Sequence, residues 1–162
     1  MSCDTLLAFL AQHQLPYTLY THAPFFTVED AAAFEAGIPG ASSKNLFLKD
    51  RKGQYFLVSL LADRQLNLKA LSKVYGKGGL SFASAPDLLR LLGVTPGAVT
   101  PFGLLQDTAQ QVSFLLDPTF LDYEYVNFHP LRNDRTIGML TTDFLKFCAL
   151  VQHMPEYVSI ID

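Results

Sequence analysis

The stretch "KNLFLKDRKGQYFLVSLL", residues 44 to 61, decides the fold. Two strand-like runs, "NLFLKD" and "QYFLVSLL", flank the three residues "RKG", a connection short enough for a hairpin, with a glycine where a positive φ is needed. An antiparallel pair is therefore predicted over residues 45–50 and 54–61. Lys44 and Asn45 stand directly in front of it, a cation beside a carboxamide at the mouth of what reads as core.

Working outward, Leu6, Leu7, Phe9 and Leu10 recur at helical spacing in residues 4–13, with Asp4 or Ser2 as cap. "YTLYTH" alternates as a strand. Thr27 with Asp30 three residues on opens an alanine-rich helix that stops near Gly37, and "GIPGASS" is a loop. After the hairpin, "NLKALSKVYG" reads as a helix capped by Asn67 and ended by Gly76. "SAPDLLRLLG" reads as another, with Ser84 as cap, Pro86 in the first turn and Gly93 at the stop. From residue 94 strands return in "AVTPFGLL", "QVSFLLD", "EYVNFH" and "TIGML". A helix, "TTDFLKFCALVQH", and a strand, "YVSII", close the chain. Irregular interleaving with tight turns favours an α+β fold with a mixed sheet surrounded by helices over a doubly wound parallel sheet.

The 162 residues suit one domain, 1–162, and 49% apolar content is enough for a sizeable core. A net charge of −3 gives no overall basic field, so any contact with a polynucleotide must be local. "MSCDTLLAFLAQH" lacks the basic start and cleavage site of a secretory signal, and no apolar run approaches the ~20 residues that cross a bilayer. A cytoplasmic protein without membrane contact is expected. Cys3 and Cys148 are read as free thiols, Cys148 buried on a helix.

Familiar catalytic patterns are missing. There is no G-x-S-x-G elbow, and Cys148 with His153 reads as helix packing. His13, His22, His129 and His153 are dispersed with no CxxC or H-x-x-x-H, so no metal is expected. "GKGG" at 76–79 lacks the ending of a phosphate-binding loop, and no cofactor is expected. What remains are polar residues where a core should be closing: Lys44 and Asn45; Thr100, Pro101, Phe102 and Gly103; Asn127, His129 and Asn133. Each has a plain structural explanation: a solvated strand end for Lys44, a bulge at Gly103, a turn histidine before Pro130. Proline and glycine interrupting one strand is harder to set aside, because proline removes a ladder donor and glycine permits close approach of a backbone or ligand.

"KNLFLKD", "LSFAS", "LLGVTPGAVTPFGLLQDT" and "VNFHPLRNDRT" follow in the order and spacing of the YbaK and prolyl-tRNA-synthetase-associated editing-domain family, which the chain resembles from "HAPFFTVEDAA" to "QHMP". The resemblance implies a partly barrel-like β-sheet surrounded by helices, and a free-standing hydrolase that removes alanine from mischarged tRNA(Pro). A synthetase pocket shaped for proline cannot exclude the smaller alanine, one methylene being worth only ~1–3 kcal/mol. A second site must then select by size and hydrolyse.

The family's motif lysine falls on Lys44, implied to bind a phosphate or the carbonyl oxygen of the acylated CCA end, with Asn45 orienting the substrate. "TPFG", Thr100 to Gly103, would form one pocket wall, Gly103 leaving space beside a small side chain. "NFHPL" would form the other, with Asn127 and Thr136 contacting substrate and His129 either orienting water or bonded structurally to a backbone carbonyl. Lys69, Lys73 and Lys77 offer a local basic face to the acceptor end of tRNA(Pro), or are a solvated helix face. Prolyl-tRNA synthetase is the implied further partner. The sequence departs from its relatives at Gly79, where an arginine is frequent, and at Ile137, where a second threonine is common. The alternatives are a same-fold deacylase for Cys-tRNA(Pro) or for Ser- or Thr-acylated tRNA, and a non-catalytic tRNA-binding module.

Overall fold

The computed structural model describes residues 1–159. Its centre is the expected hairpin: β2 (Ser43–Asp50) pairs antiparallel with β3 (Tyr55–Leu61), Lys44 opposite Leu60 and Asn45 opposite Ser59. Gly53 takes φ +86°, the left-handed conformation the turn demands. Asp50, almost fully buried, accepts from the main-chain N–H groups of Lys52, Gln54 and Lys77 at 2.8 to 3.0 Å. These bonds, that of Lys77 foremost, hold its carboxyl below the usual carboxylate range.

Preceding the hairpin are α1 (Cys3–Gln12), capped by Ser2, β1 (Thr18–Thr21), and α2 (Val28–Glu35), capped by Thr27. Beyond it come α3 (Leu68–Val74) with Asn67 as cap, β4 (Leu80–Phe82), and α4 (Ala85–Leu92), capped by Ser84 and stopped by Gly93 at φ +71°. The short strand "LSF" escaped the sequence pattern because three residues carry no readable period. The rest is β5 (Val112–Leu116), β6 (Tyr125–Phe128), β7 (Arg135–Leu140), α5 (Thr141–Leu150) and β8 (Glu156–Tyr157). The strand expected over "YVSII" is reduced to its beginning, and residues 160–161 of it lie outside the described residues.

The strands form two sheets, of order β4-β2-β3-β5-β8 and β1-β7-β6. In the larger one β5 runs parallel to β3, and β8 parallel to β5, beside the antiparallel hairpin, so the sheet is mixed as expected. The two meet where Ala41 bridges Val126. One core lies between the larger sheet and helices α1, α4 and α5, dominated by Phe102, Phe114, Phe120, Phe128, Phe144 and Phe147. A smaller one forms on the opposite face, where Leu48, Phe56, Val58, Leu60 and Leu115 meet Leu71 of α3. Cys148 is buried on α5, and burial pushes its thiol up. No helix among the described residues is long and apolar enough to cross a membrane.

One expectation fails. "AVTPFGLL" is not a strand but two 3-10 turns, Pro96–Ala98 and Pro101–Leu105. Thr100 caps the second, its hydroxyl accepting from Phe102 N–H at 3.2 Å, and Pro101 sits in its first turn. The proline that spoils a β ladder suits a helix start, where its missing N–H costs nothing.

Candidate functional site

Antiparallel register assigns the faces of the smaller sheet. Asn127 lies opposite Gly138, Thr18 opposite Gly138, and Tyr20 opposite Thr136. Val126, Phe128, Ile137 and Met139 therefore point into the core, while Tyr20, Asn127, Thr136 and Gly138 share the outer face. Gly138 is obligatory there: a Cβ would lie 2.7 Å from Asn127 Oδ1 and 3.3 Å from the Tyr20 ring. α2 lies across this face through Phe34, whose ring is 6.0 Å from Tyr20 and 4.4 Å from His22.

Two histidines stand at the end of this face. A carbonyl oxygen can only accept, so His129 Nδ1 donates to Arg135 O at 2.7 Å, and in the neutral ring Nε2 keeps its lone pair. Burial pushes His129 below the ordinary histidine value against the pull of that carbonyl bond, and neighbouring His22 adds to the depression. His22 donates from Nδ1 to Ala23 O at 2.8 Å, so its Nε2 accepts from the Thr136 hydroxyl at 2.9 Å when the ring is neutral. The His22 ring stacks on Phe25 at 4.3 Å and lies 6.2 Å from His129.

A series of hydrogen bonds runs from the hairpin to the main chain of Asn127. Ser59 donates to Asn45 Oδ1 at 2.5 Å, Asn45 Nδ2 to Ser43 Oγ at 3.3 Å, and Ser43 Oγ to Asn127 O at 2.8 Å. Asn127 Nδ2 is bound to Pro39 O at 2.9 Å and, more loosely, to Ala41 O at 3.4 Å. Its Oδ1 is buried without a hydrogen-bond partner among the described residues. Asn45 thus reaches the Asn127 main chain through Ser43, while the side chains of Asn127 and Thr136 lie on the outer face, where Thr136 meets His22.

Lys44 makes none of these bonds. By strand alternation Lys44 lies on the face of Leu46 and Leu48, opposite Leu60, with the smaller core and α3, whereas Asn45 lies on the face of Ser43 and Ser59. Lys69, Lys73 and Lys77 are exposed on and just beyond α3, on Lys44's side of the sheet. Adjacency in sequence had suggested that Lys44 and Asn45 act as a pair; the two-residue period separates them.

The "TPFG" wall needs correction. Thr100, Pro101, Phe102 and Gly103 are all buried, and the Phe102 ring packs edge-on against Phe128, Phe144 and Phe147. The room left by Gly103 is taken up inside the protein, since a Cβ there would be 2.7 Å from Leu92 O. This glycine permits a close approach of backbone to α4, which is the other half of the expectation for such a residue. Ile137 is core, so the polar floor rests on Thr136 alone of that pair.

His22, Ser43, Ser59 and Glu35 were not singled out from sequence. Burial raises the carboxyl of Glu35, next to Phe34 on α2, above the usual range, against the opposing influence of nearby Ser42. For His22 a signal existed in the "HAPF" turn ahead of the Thr27 cap; for the serines only strand pairing reveals the partners.

The sequence profile of the aminoacyl-tRNA editing domain matches residues 22–147. A prolyl-tRNA synthetase associated domain-containing protein 1 of Xenopus laevis is 41% identical over 155 residues, covering 93% of this chain and 92% of its own. The prolyl-tRNA editing protein ProX of Acetoanaerobium sticklandii is 35% identical over 144 residues, with 88% of each chain covered. Among solved structures, one described as a candidate trans-editing enzyme for prolyl-tRNA synthetase superposes with a TM-score of 0.75, covering 100% of this chain and 99% of the other, at 19% identity.

Proposed function

The chain belongs to the aminoacyl-tRNA editing domain family, and on that premise we propose that it is a trans-acting deacylase that hydrolyses the ester of mischarged Ala-tRNA(Pro). The observation that carries the reading is His129. Its Nδ1 is committed to Arg135 O, which leaves Nε2 as an acceptor in a neutral ring. Such a nitrogen can orient a water, or the ribose hydroxyl beside the ester, and take up its proton as the carbonyl is attacked. An aminoacyl ester is already activated, so positioning and hydrogen-bond donation to the developing oxyanion can supply the remaining rate without a covalent intermediate.

In this reading Asn45 assists. Ser59 fills its oxygen, and Nδ2 spends one hydrogen on Ser43, leaving the second for a substrate carbonyl. For Lys44, its place on the α3 side with Lys69, Lys73 and Lys77 favours binding a phosphate of the tRNA end over touching the ester. Prolyl-tRNA synthetase is the natural source of the mischarged substrate, and the cytoplasm the setting.

The test is incubation of purified protein with tRNA(Pro) carrying Ala, Cys, Ser or Pro, following ester loss with wild type and Lys44→Ala. Ala ester is expected to disappear fastest, and more slowly with the variant. Preferential loss of Cys or Ser reassigns the substrate, and loss of none makes the chain a binding module.

A further inference from the structure

From Phe56 to Leu61, β3 is apolar except at Ser59, which is fully buried. A hydroxyl there adds no apolar burial and needs a partner, since a desolvated polar group without one is costly. The partner is Asn45, its direct neighbour across the hairpin, whose Oδ1 accepts from it at 2.5 Å. The Ser59 main chain is anchored as well. Its oxygen accepts from Asp117 N–H at 2.9 Å, and the Asp117 carboxylate in turn accepts from Leu61 N–H at 3.3 Å.

A carboxamide can turn over and exchange its oxygen for its nitrogen, so the bonds around Asn45 decide which end it presents. They start from a group that has no choice. Asn127 O is a carbonyl and only accepts, which commits the single hydrogen of the Ser43 hydroxyl to it at 2.8 Å. Ser43 Oγ then faces Asn45 with lone pairs alone, and only Nδ2 can answer, at 3.3 Å. With the nitrogen on that side, Oδ1 faces Ser59, whose hydroxyl donates. Turning the carboxamide over would set Oδ1 against the Ser43 lone pairs or strip Asn127 O of its donor. One main-chain carbonyl of β6 thus sets the direction of every hydrogen in the series. The second Nδ2 hydrogen of the half-buried Asn45 is the donor left over among the described residues.

We propose that Ser43 and Ser59 are positioning residues for deacylation, which fix the Asn45 carboxamide so that it presents an N–H, and not an oxygen, to the substrate carbonyl. The inference rests on the deacylase reading for the substrate and on the hydrogen-bond series for the orientation. An oxygen presented there would repel the negative charge that develops on the carbonyl during attack. An N–H already turned the right way stabilises that charge with no reorganisation as the reaction proceeds. The gain belongs to the transition state, so its loss falls on kcat rather than on KM.

The test reads rate and amide geometry separately. Deacylation of Ala-tRNA(Pro) is measured for wild type, Ser43→Ala, Ser59→Ala and Ser59→Thr, and for the serine changes in an Asn45→Ala background. The Asn45 side-chain NH2 pair, identified by its loss in Asn45→Ala, is followed in nitrogen–proton NMR spectra. Ser43→Ala and Ser59→Ala should each lower kcat about 2- to 10-fold with KM unchanged, and Ser59→Thr, which keeps the hydroxyl, should restore the rate. In the Asn45→Ala background the serine changes should cost nothing further, because both serines act through that side chain. The NH2 signals should lie away from those of exposed asparagines in wild type and move towards them when either serine is lost. Serine variants that deacylate at the wild-type rate, that lose as much rate without Asn45 as with it, or that leave the NH2 signals in place would overturn the proposal. Signals that move as expected in a protein that hydrolyses no acylated tRNA sink the deacylase reading and leave the orientation standing.

Discussion

The two sheets of this protein are built to different standards. In the larger, β3 buries every residue except Tyr55, because cores press on both its faces; in the smaller, β1 buries none of its four residues, and α2 covers it with half-buried side chains. Burial of apolar area is the main source of stability, so the hairpin and its aromatic neighbours carry the fold. The proposed function puts recognition on the other, more thinly covered sheet, whose edge strand β1 buries no residue.

The sharpest way to break this contrast is to truncate one aromatic on each side. Phe102→Ala opens a cavity among Phe128, Phe144 and Phe147 and should cost about 3–5 kcal/mol in urea unfolding. Phe34→Ala removes a half-buried ring on α2 and should cost about 1 kcal/mol or less. Comparable losses would mean that the cover is as structural as the core.

The next effect in size is Asp50→Ala. It strands three N–H groups that Asp50 now satisfies, for about 2–4 kcal/mol. The folded carboxyl lies below its unfolded value, so the stabilisation is complete above the unfolded carboxylate range near pH ~4 and fades as pH falls through the depressed folded value. Wild type should therefore lose its advantage over the variant only in acid, as acid titration of the two unfolding curves would reveal. An advantage that persists unchanged to pH ~2 would contradict that account.

His129→Gln tests the thin sheet by activity. It should slow deacylation about 100-fold, or ~2.7 kcal/mol, with little change in melting temperature. Because the folded histidine is depressed by burial, wild-type rate should hold as pH drops through ~6.5 and fall only below it. Stability has the same sign: protonating His129 is harder when folded, so stability declines as pH falls from the unfolded value towards the folded one. A rate that halves at or above pH ~7 would assign the titration to another group.

The same contrast explains what could be read in advance. The hairpin, the Thr27, Asn67 and Ser84 caps and the Gly93 stop are local chemistry, and each is found where its residues place it. "TPFG" misled because Pro101 and Gly103 were judged against a strand, when a 3-10 turn needs the first and the backbone of α4 requires the second. The site was only half legible for a different reason. Asn127, Thr136 and His129 stand close in sequence, but His22 reaches Thr136 across 114 positions, and Ser43 reaches Asn127 across 84. No local pattern encodes such partners. Lys44 and Asn45 are adjacent, yet strand alternation sends their side chains to opposite faces, so adjacency alone does not say how each meets a substrate.

The smallest predicted effect tests whether recognition is confined to the thin sheet at all. Lys69, Lys73 and Lys77 are exposed on the well-packed side, and none forms an ion pair among the described residues. Lys77 contributes to the fold through its main chain, donating to Asp50 and accepting from Arg51, and alanine preserves both bonds. Each Lys→Ala change should therefore leave the melting temperature where it is. If tRNA phosphates rest on this face, each should weaken binding only a few-fold and lower the slope of log affinity against log salt by about 0.7–0.9. The three together would then remove about two units or more of slope while deacylation of a short acylated CCA fragment, too small to reach α3, proceeds at the wild-type rate. A salt slope unchanged by the triple variant would return these lysines to ordinary solvated surface and leave recognition wholly with the smaller sheet.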